Sequence, residues 1–206
     1  MPDKWYFMSF CSVLPLQKSK IKNMTNYFIV PGLGGSGVNH WQTLFEKSEK
    51  NFQRIEQKNW DAPDLNEWSD NIDKAISAYD PQNVILVGHS LGCLTIATWA
   101  IHYNKKIKGA LLVAPPDIEL LREKANIVLL DKISTSRINF PTILVASTTD
   151  HWATIERAES YANNWGSKFI NIGAAGHIND ASGHGEWKEG LDILYSISKI
   201  KSTVQV

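Results

Sequence analysis

From residue 24 onward, short apolar runs alternate with longer stretches in which apolar residues recur every three or four positions. The runs at 27–30, 84–87, 109–114 and 142–147 are nearly continuous in aliphatic and β-branched residues, which predicts strands buried on both faces. The run at 52–56 is more polar and reads as an edge strand, and 168–172 is a sixth. Between them, helical spacing covers 41–50, 91–102, 154–165 and about 187–199. A further helix, entered through the Asp64/Glu67 capping-box spacing, runs to about Tyr79. Strand and helix alternating with short connections predict an α/β fold of about six mostly parallel strands with helices on both faces. Right-handed crossovers place strand one between strands two and three, so the carboxyl ends of strands one and three flank the switch point where ligands bind in open sheets. There is no internal repeat. The one long insertion, 117–139, is expected to form a small cap.

The third strand runs directly into Gly88-His89-Ser90-Leu91-Gly92, a G-x-S-x-G pattern, and a helix follows at once. Strand, tight turn and helix are the context in which this pattern lifts a serine hydroxyl clear of a sheet as a nucleophile, with glycines where a side chain would collide with the neighbouring strand or helix. A serine hydroxyl is a weak nucleophile at neutral pH, so it needs a histidine to take its proton and a carboxylate to orient that histidine, in the chain order serine, acid, histidine. Asp150, three residues past strand five, and His177, five residues past strand six, fit that order and placement. Asp117 and Asp180 remain as alternative acids and His184 as an alternative base. His89 points away from the hydroxyl in such a turn and is assigned to packing, and His102 to the end of its helix. His40, just ahead of the first helix, Trp41, at its start, and Trp152, close behind Asp150, are candidates to face substrate.

After strand one comes Pro31-Gly32-Leu33-Gly34-Gly35-Ser36-Gly37. In acyl-transfer chemistry the Leu33 N–H from this loop would join that of Leu91 as an oxyanion hole. Gly32, Gly34 and Gly37 also spell G-x-G-x-x-G, with Glu56 at a distance suited to a ribose, so a dinucleotide-binding oxidoreductase is the rival reading. Against it, Pro31 separates strand from loop, and the helix is expected only near His40. No cofactor is therefore expected. Nor is a metal: His177, Asp180 and His184 have helical spacing, but Gly183 and Gly185 argue against a helix there and a fourth ligand is lacking.

The remaining composition narrows the partners. Twenty-one basic and 21 acidic residues leave a formal net charge of zero, and no basic run marks a nucleic-acid or anionic-membrane surface. Two cysteines, Cys11 and Cys93, are too few for a disulfide framework. The apolar stretch from Trp5 to Leu16 is too short to span a bilayer. It follows Asp3 and precedes no small-residue cleavage site, so a secretory leader is not expected and a cytoplasmic location is. Met24, just ahead of the first strand, suggests that residues 1–23 are an extension with a non-native start and that 24–206 is a single domain.

Together these stretches resemble the retinoblastoma-binding protein nine / YdeN family of small α/β-hydrolases. The resemblance is carried by Val-Pro-Gly, Gly-Ser-Gly and His-Trp-Gln within 30–42, Asn59-Trp60 with Pro63 and Trp68, Gly-His-Ser-Leu-Gly at 88–92, residues 147–150, and Gly-His-Ile-Asn with Ser-Gly-His-Gly-Glu-Trp within 176–187. It implies an α/β-hydrolase with Ser90 as nucleophile, Asp150 as acid and His177 as base, acting on small esters or amides without a cofactor. The chain departs from the family in having His151 and Lys188 where proline is usual. Some relatives are described chiefly by a protein partner, so an idle hydrolase frame serving as a protein-binding module is the alternative.

Overall fold

The computed structural model describes residues 24–125 and 135–200. The extension at 1–23, with Cys11, lies outside the described residues, as does 126–134 of the expected cap. Six strands, β1 (Asn26–Val30), β2 (Phe52–Arg54), β3 (Val84–His89), β4 (Gly109–Val113), β5 (Thr142–Ala146) and β6 (Lys168–Asn171), form one sheet in the order β2-β1-β3-β4-β5-β6. Every pairing is parallel. Strand one therefore lies between strands two and three, as the crossover rule requires. The central strands β3, β4 and β5 are buried along their whole length, whereas β6 at one edge is at least partly exposed at every residue.

Among the described residues, six α-helices cover the two faces: α1 (Trp41–Ser48), α2 (Leu65–Ile76), α3 (Leu91–Tyr103), α4 (Ile118–Ala125), α5 (Ile155–Trp165) and α6 (Lys188–Ile197). Because a strand's side chains alternate, Phe28, Val30, Leu86, Leu112 and Leu144 pack with α2, α3 and α5, through Trp68, Ile72, Leu94, Trp99 and Trp165. Tyr27, Ile29, Ile85, Val87, Val113 and Val145 pack on the other face with Trp41 and Phe45 of α1 and with Leu194 and Ile197 of α6. Helix α3 is buried from Leu91 to Ala100, which explains why its sequence lacks a polar stripe.

The element ends differ from the pattern where side chains intervene. Asp64 accepts the N–H groups of Asn66 and Glu67 and starts α2, but Ser77 turns its Oγ onto the Lys74 carbonyl and the helix stops at Ile76. Tyr79 then packs edge-on against Phe28. The insertion after β4 begins as α4, with Ile118 and Leu121 buried in the first cluster, so this part of the expected cap is a packed helix. Among the described residues, no helix is long and apolar enough to cross a membrane.

Candidate active site

Ser90 sits between β3 and α3 with φ 53° and ψ −126°, a conformation that costs a non-glycine residue about 1–3 kcal/mol. The turn is held there by the Ser90 N–H donating to Val113 and the Cys93 N–H donating to Ser90. A Cβ on Gly92 would run into the Val30 carbonyl, and one on Gly88 would meet Ile96 Cδ1 at 2.8 Å and Cys93 N at 3.0 Å, so neighbouring backbone and helix close in where the motif has no side chains. The Ser90 Oγ lies 2.9 Å from Nε2 of His177, whose Nδ1 lies 2.9 Å from both carboxylate oxygens of Asp150. With Asp150 on Nδ1, the Nδ1–H tautomer is fixed and Nε2 faces the serine as acceptor.

Both loops carrying this pair are stitched together. Thr148 donates its N–H to Gly173, Ala175 to the Ser147 hydroxyl and Gly176 to the Thr149 hydroxyl. Asp150 also accepts the N–H of Trp152, closing a turn in which His151 replaces the family's proline without displacing the carboxylate from His177. Behind His177 the backbone is gripped twice. His89, fully buried, places Nε2 2.9 Å from the His177 carbonyl, and the indole N–H of Trp41 donates to the Ile178 carbonyl at 2.8 Å. Burial, reinforced by the neighbouring His177 and His40, pushes the His89 pKa well below its ordinary value, so the ring stays neutral and donates from Nε2.

The glycine loop approaches Ser90 from β1. A Cβ on Gly32 would lie 2.9 Å from Ser90 Cβ and 3.1 Å from the Leu91 nitrogen. Gly34 and Gly35 spend their N–H groups on Trp60 and Gly32, while Leu33 and Leu91 both line the cleft. Gln42, completely buried, donates to the carbonyls of Val30 and Val87 and accepts from Ser36, tying the loop to the ends of β1 and β3. Arg54 and Thr43 both reach the Ser36 carbonyl.

A family model described as serine hydrolase matches residues 27–196. The chain belongs to the serine hydrolase family. Among solved structures, a YdeN-like hydrolase from Pectobacterium atrosepticum is 32% identical, with a TM-score of 0.75 over 88% of this chain and 95% of that one. The YdeN product of Bacillus subtilis is 20% identical, with a TM-score of 0.69 over 86% and 100%. Carboxylesterase CesB of Bacillus subtilis, at 14% identity and a TM-score of 0.60 over 85% and 84%, shares the fold. No curated protein matches the sequence.

In this serine hydrolase the alternative acid Asp117 and the alternative base His184 have other partners, while Asp180 lines the cleft. Asp117 pairs with Arg157 at 2.9 Å, and His184 faces the Ser182 hydroxyl at 3.3 Å. His102 packs against Tyr103. His177 and His184 thus have separate partners, and among the described residues no three metal-ligating side chains converge. Helix α1 begins at Trp41, beyond all the loop glycines, with its first turn capped by Nδ1 of His40. One expectation needs correction. Trp41 does not face substrate: it is fully buried, packed edge-on against His89, Phe45 and Trp187, because its indole N–H finds its acceptor in the His177 loop rather than in the cleft.

The hydrolase cleft is about 240 Å³ and runs over Ser90 and His177 between Leu33, Leu121, Trp152 and the Asn179-Asp180 turn. Trp152 stands with its ring 6.4 Å from that of His177. Cys93 is buried beneath, its thiol directed to the Val113 carbonyl and its pKa raised by burial, so it is a packing group. The grips of His89, Ser147, Thr149 and Gln42 carried no signal in the sequence beyond their motifs. Each acts on a backbone group brought near only by folding.

Proposed function

We propose that this serine hydrolase cleaves small esters or amides through an acyl-enzyme on Ser90. The observation that carries the reading is the unbroken hydrogen-bonded chain from Ser90 Oγ through His177 to Asp150, with the serine in the strained turn over the cleft. His177 Nε2 takes the hydroxyl proton as Ser90 attacks the carbonyl carbon, and Asp150 stabilises the imidazolium that forms. The N–H groups of Leu33 and Leu91 receive the developing oxyanion, each contributing about 3 kcal/mol in comparable sites. His177 then passes its proton to the leaving alcohol or amine. A water deprotonated by the same nitrogen attacks the acyl carbon and regenerates the serine. These steps call for no metal or organic cofactor. The cleft volume suits a short or medium acyl group.

The test is hydrolysis of a short p-nitrophenyl ester series by wild type, Ser90→Ala and His177→Ala, with fluorophosphonate labelling of the same samples. We expect wild type to turn over and take the label, and both variants to lose turnover by about a thousandfold or more. A folded wild type that does neither would sink the hydrolytic reading and leave the idle protein-binding frame in its place.

A further inference from the structure

His40 sits in the cleft wall with one nitrogen unaccounted for. Its Nδ1 accepts the Gln42 N–H at 3.2 Å, and a nitrogen that accepts carries a lone pair, so the proton of the neutral ring is on Nε2. That Nε2 is buried and has no hydrogen-bond partner among the described residues. The residue as a whole is 4% exposed, yet it lines the same cleft as Ser90, His177 and Asp180. Burial pulls its pKa down to about 4, with Asp180 opposing and Arg54 and His177 assisting, so at neutral pH the ring is an uncharged donor. A fixed, desolvated donor without an acceptor is unfavourable, and an acceptor that reaches it from the cleft His40 lines relieves that penalty.

We propose that His40 is a substrate-binding residue whose Nε2–H donates to a second oxygen of the substrate, beyond the scissile carbonyl, so that the hydrolase prefers chains bearing an ether, hydroxyl or further carbonyl oxygen over hydrocarbon chains of equal length. The proposal rests on the ester or amide reading. It assigns the chemical class the cleft selects: oxygenated short-chain esters or amides. The neighbouring histidines do not compete for the role, since His89 is committed to the His177 carbonyl and His177 to Asp150 and Ser90.

The experiment compares kcat/KM for matched ester pairs in which one methylene becomes oxygen: butyrate against methoxyacetate in the acyl chain, and butyl against 2-methoxyethyl acetate in the alcohol. The ether-to-hydrocarbon ratio is measured for wild type, His40→Asn and His40→Gln, so that intrinsic reactivity cancels between proteins. Asparagine Oδ1 can keep the cap on Gln42 but cannot reach the Nε2 position, whereas the glutamine amide nitrogen can. For at least one pair, we expect the ratio to fall about threefold to tenfold in His40→Asn and to recover in His40→Gln. Thermal melts accompany each variant. A ratio that is the same in all three proteins, or an equal loss on every ester, overturns the proposal and leaves the hydrolase standing. Failure of wild type to turn over any ester or take fluorophosphonate removes the hydrolytic reading itself, and this proposal with it.

Discussion

At the scale of single residues, the site depends on which proton sits on which nitrogen. Asp150 contacts His177 Nδ1 with both oxygens, so its replacement by asparagine changes shape little but offers an N–H where the ring needs an acceptor. Asp150→Asn is expected to fold with a near-native melting temperature and to lose about 10³–10⁴-fold in kcat, the cost of the wrong tautomer. A loss below tenfold would mean that another carboxylate orients the ring. Ser90, Asp150 and His177, which the fold brings within hydrogen-bond distance of one another, stand out as candidates in the sequence because chain order and position after strands are local properties. The grips of His89 and Trp41 do not. Both face the carbonyls of the His177 loop, and a histidine or tryptophan followed by nothing distinctive says nothing about which carbonyl it will meet. Trp41 is a candidate for the cleft as the first residue of the helix after the glycine loop, but the indole's apolar body and single donor are better satisfied beneath it.

At the scale of elements, helix α1 is the part that holds the machinery together. Its N-cap and first two positions divide the work: His40 lines the cleft, Trp41 holds the His177 loop, and Gln42 holds the glycine loop to two strand ends. Gln42→Leu keeps the side-chain volume but removes the bonds to Val30, Val87 and Ser36. The expected result is a loss of about 1–3 kcal/mol in stability, together with a fall in kcat larger than any rise in KM, as the glycine loop loses its fixed distance from Leu91. Denaturant melts and steady-state kinetics on one preparation would separate the two effects, and a stability loss with unchanged kcat would make Gln42 a purely structural group. Periodicity placed α1 correctly, since its apolar face is a local pattern. Its second role was invisible because Gln42 meets β3 through a contact spanning 45 positions.

For the molecule as a whole, two neutral imidazoles inside the fold couple stability to acidity. His40 and His89 both have pKa values below the ordinary 6.5, so the unfolded chain binds protons that the native state refuses. The contribution of His40 is fully present above about pH 6.5 and is lost as pH falls toward 4, by an amount on the order of a few kcal/mol, and that of His89 is lost in the same direction. Melting temperature should therefore fall through that window, and the slope should be shallower in His40→Asn. Equal slopes in the two proteins would assign the acid sensitivity to other groups. The strand order was legible from hydrophobic runs and crossover handedness, as the parallel sheet bears out. The exact ends of β2 and α2 were not: the Ile55 N–H bonds across the sheet to Ile29, and the Ser77 hydroxyl turns back onto the Lys74 carbonyl, which periodicity does not register.

The sheet order also has a consequence in time. Ser90 is made 87 residues before His177, and the strand leading to the His177 loop is the outermost of the sheet, added beyond β5. At about 5–20 residues per second, a growing chain carries Ser90 for roughly 4–17 s before His177 exists. During that interval the central strands are available to pair but no proton acceptor stands beside the serine. On the proposed mechanism a nascent chain is silent toward acyl compounds, and reactivity arrives with the last edge of the sheet.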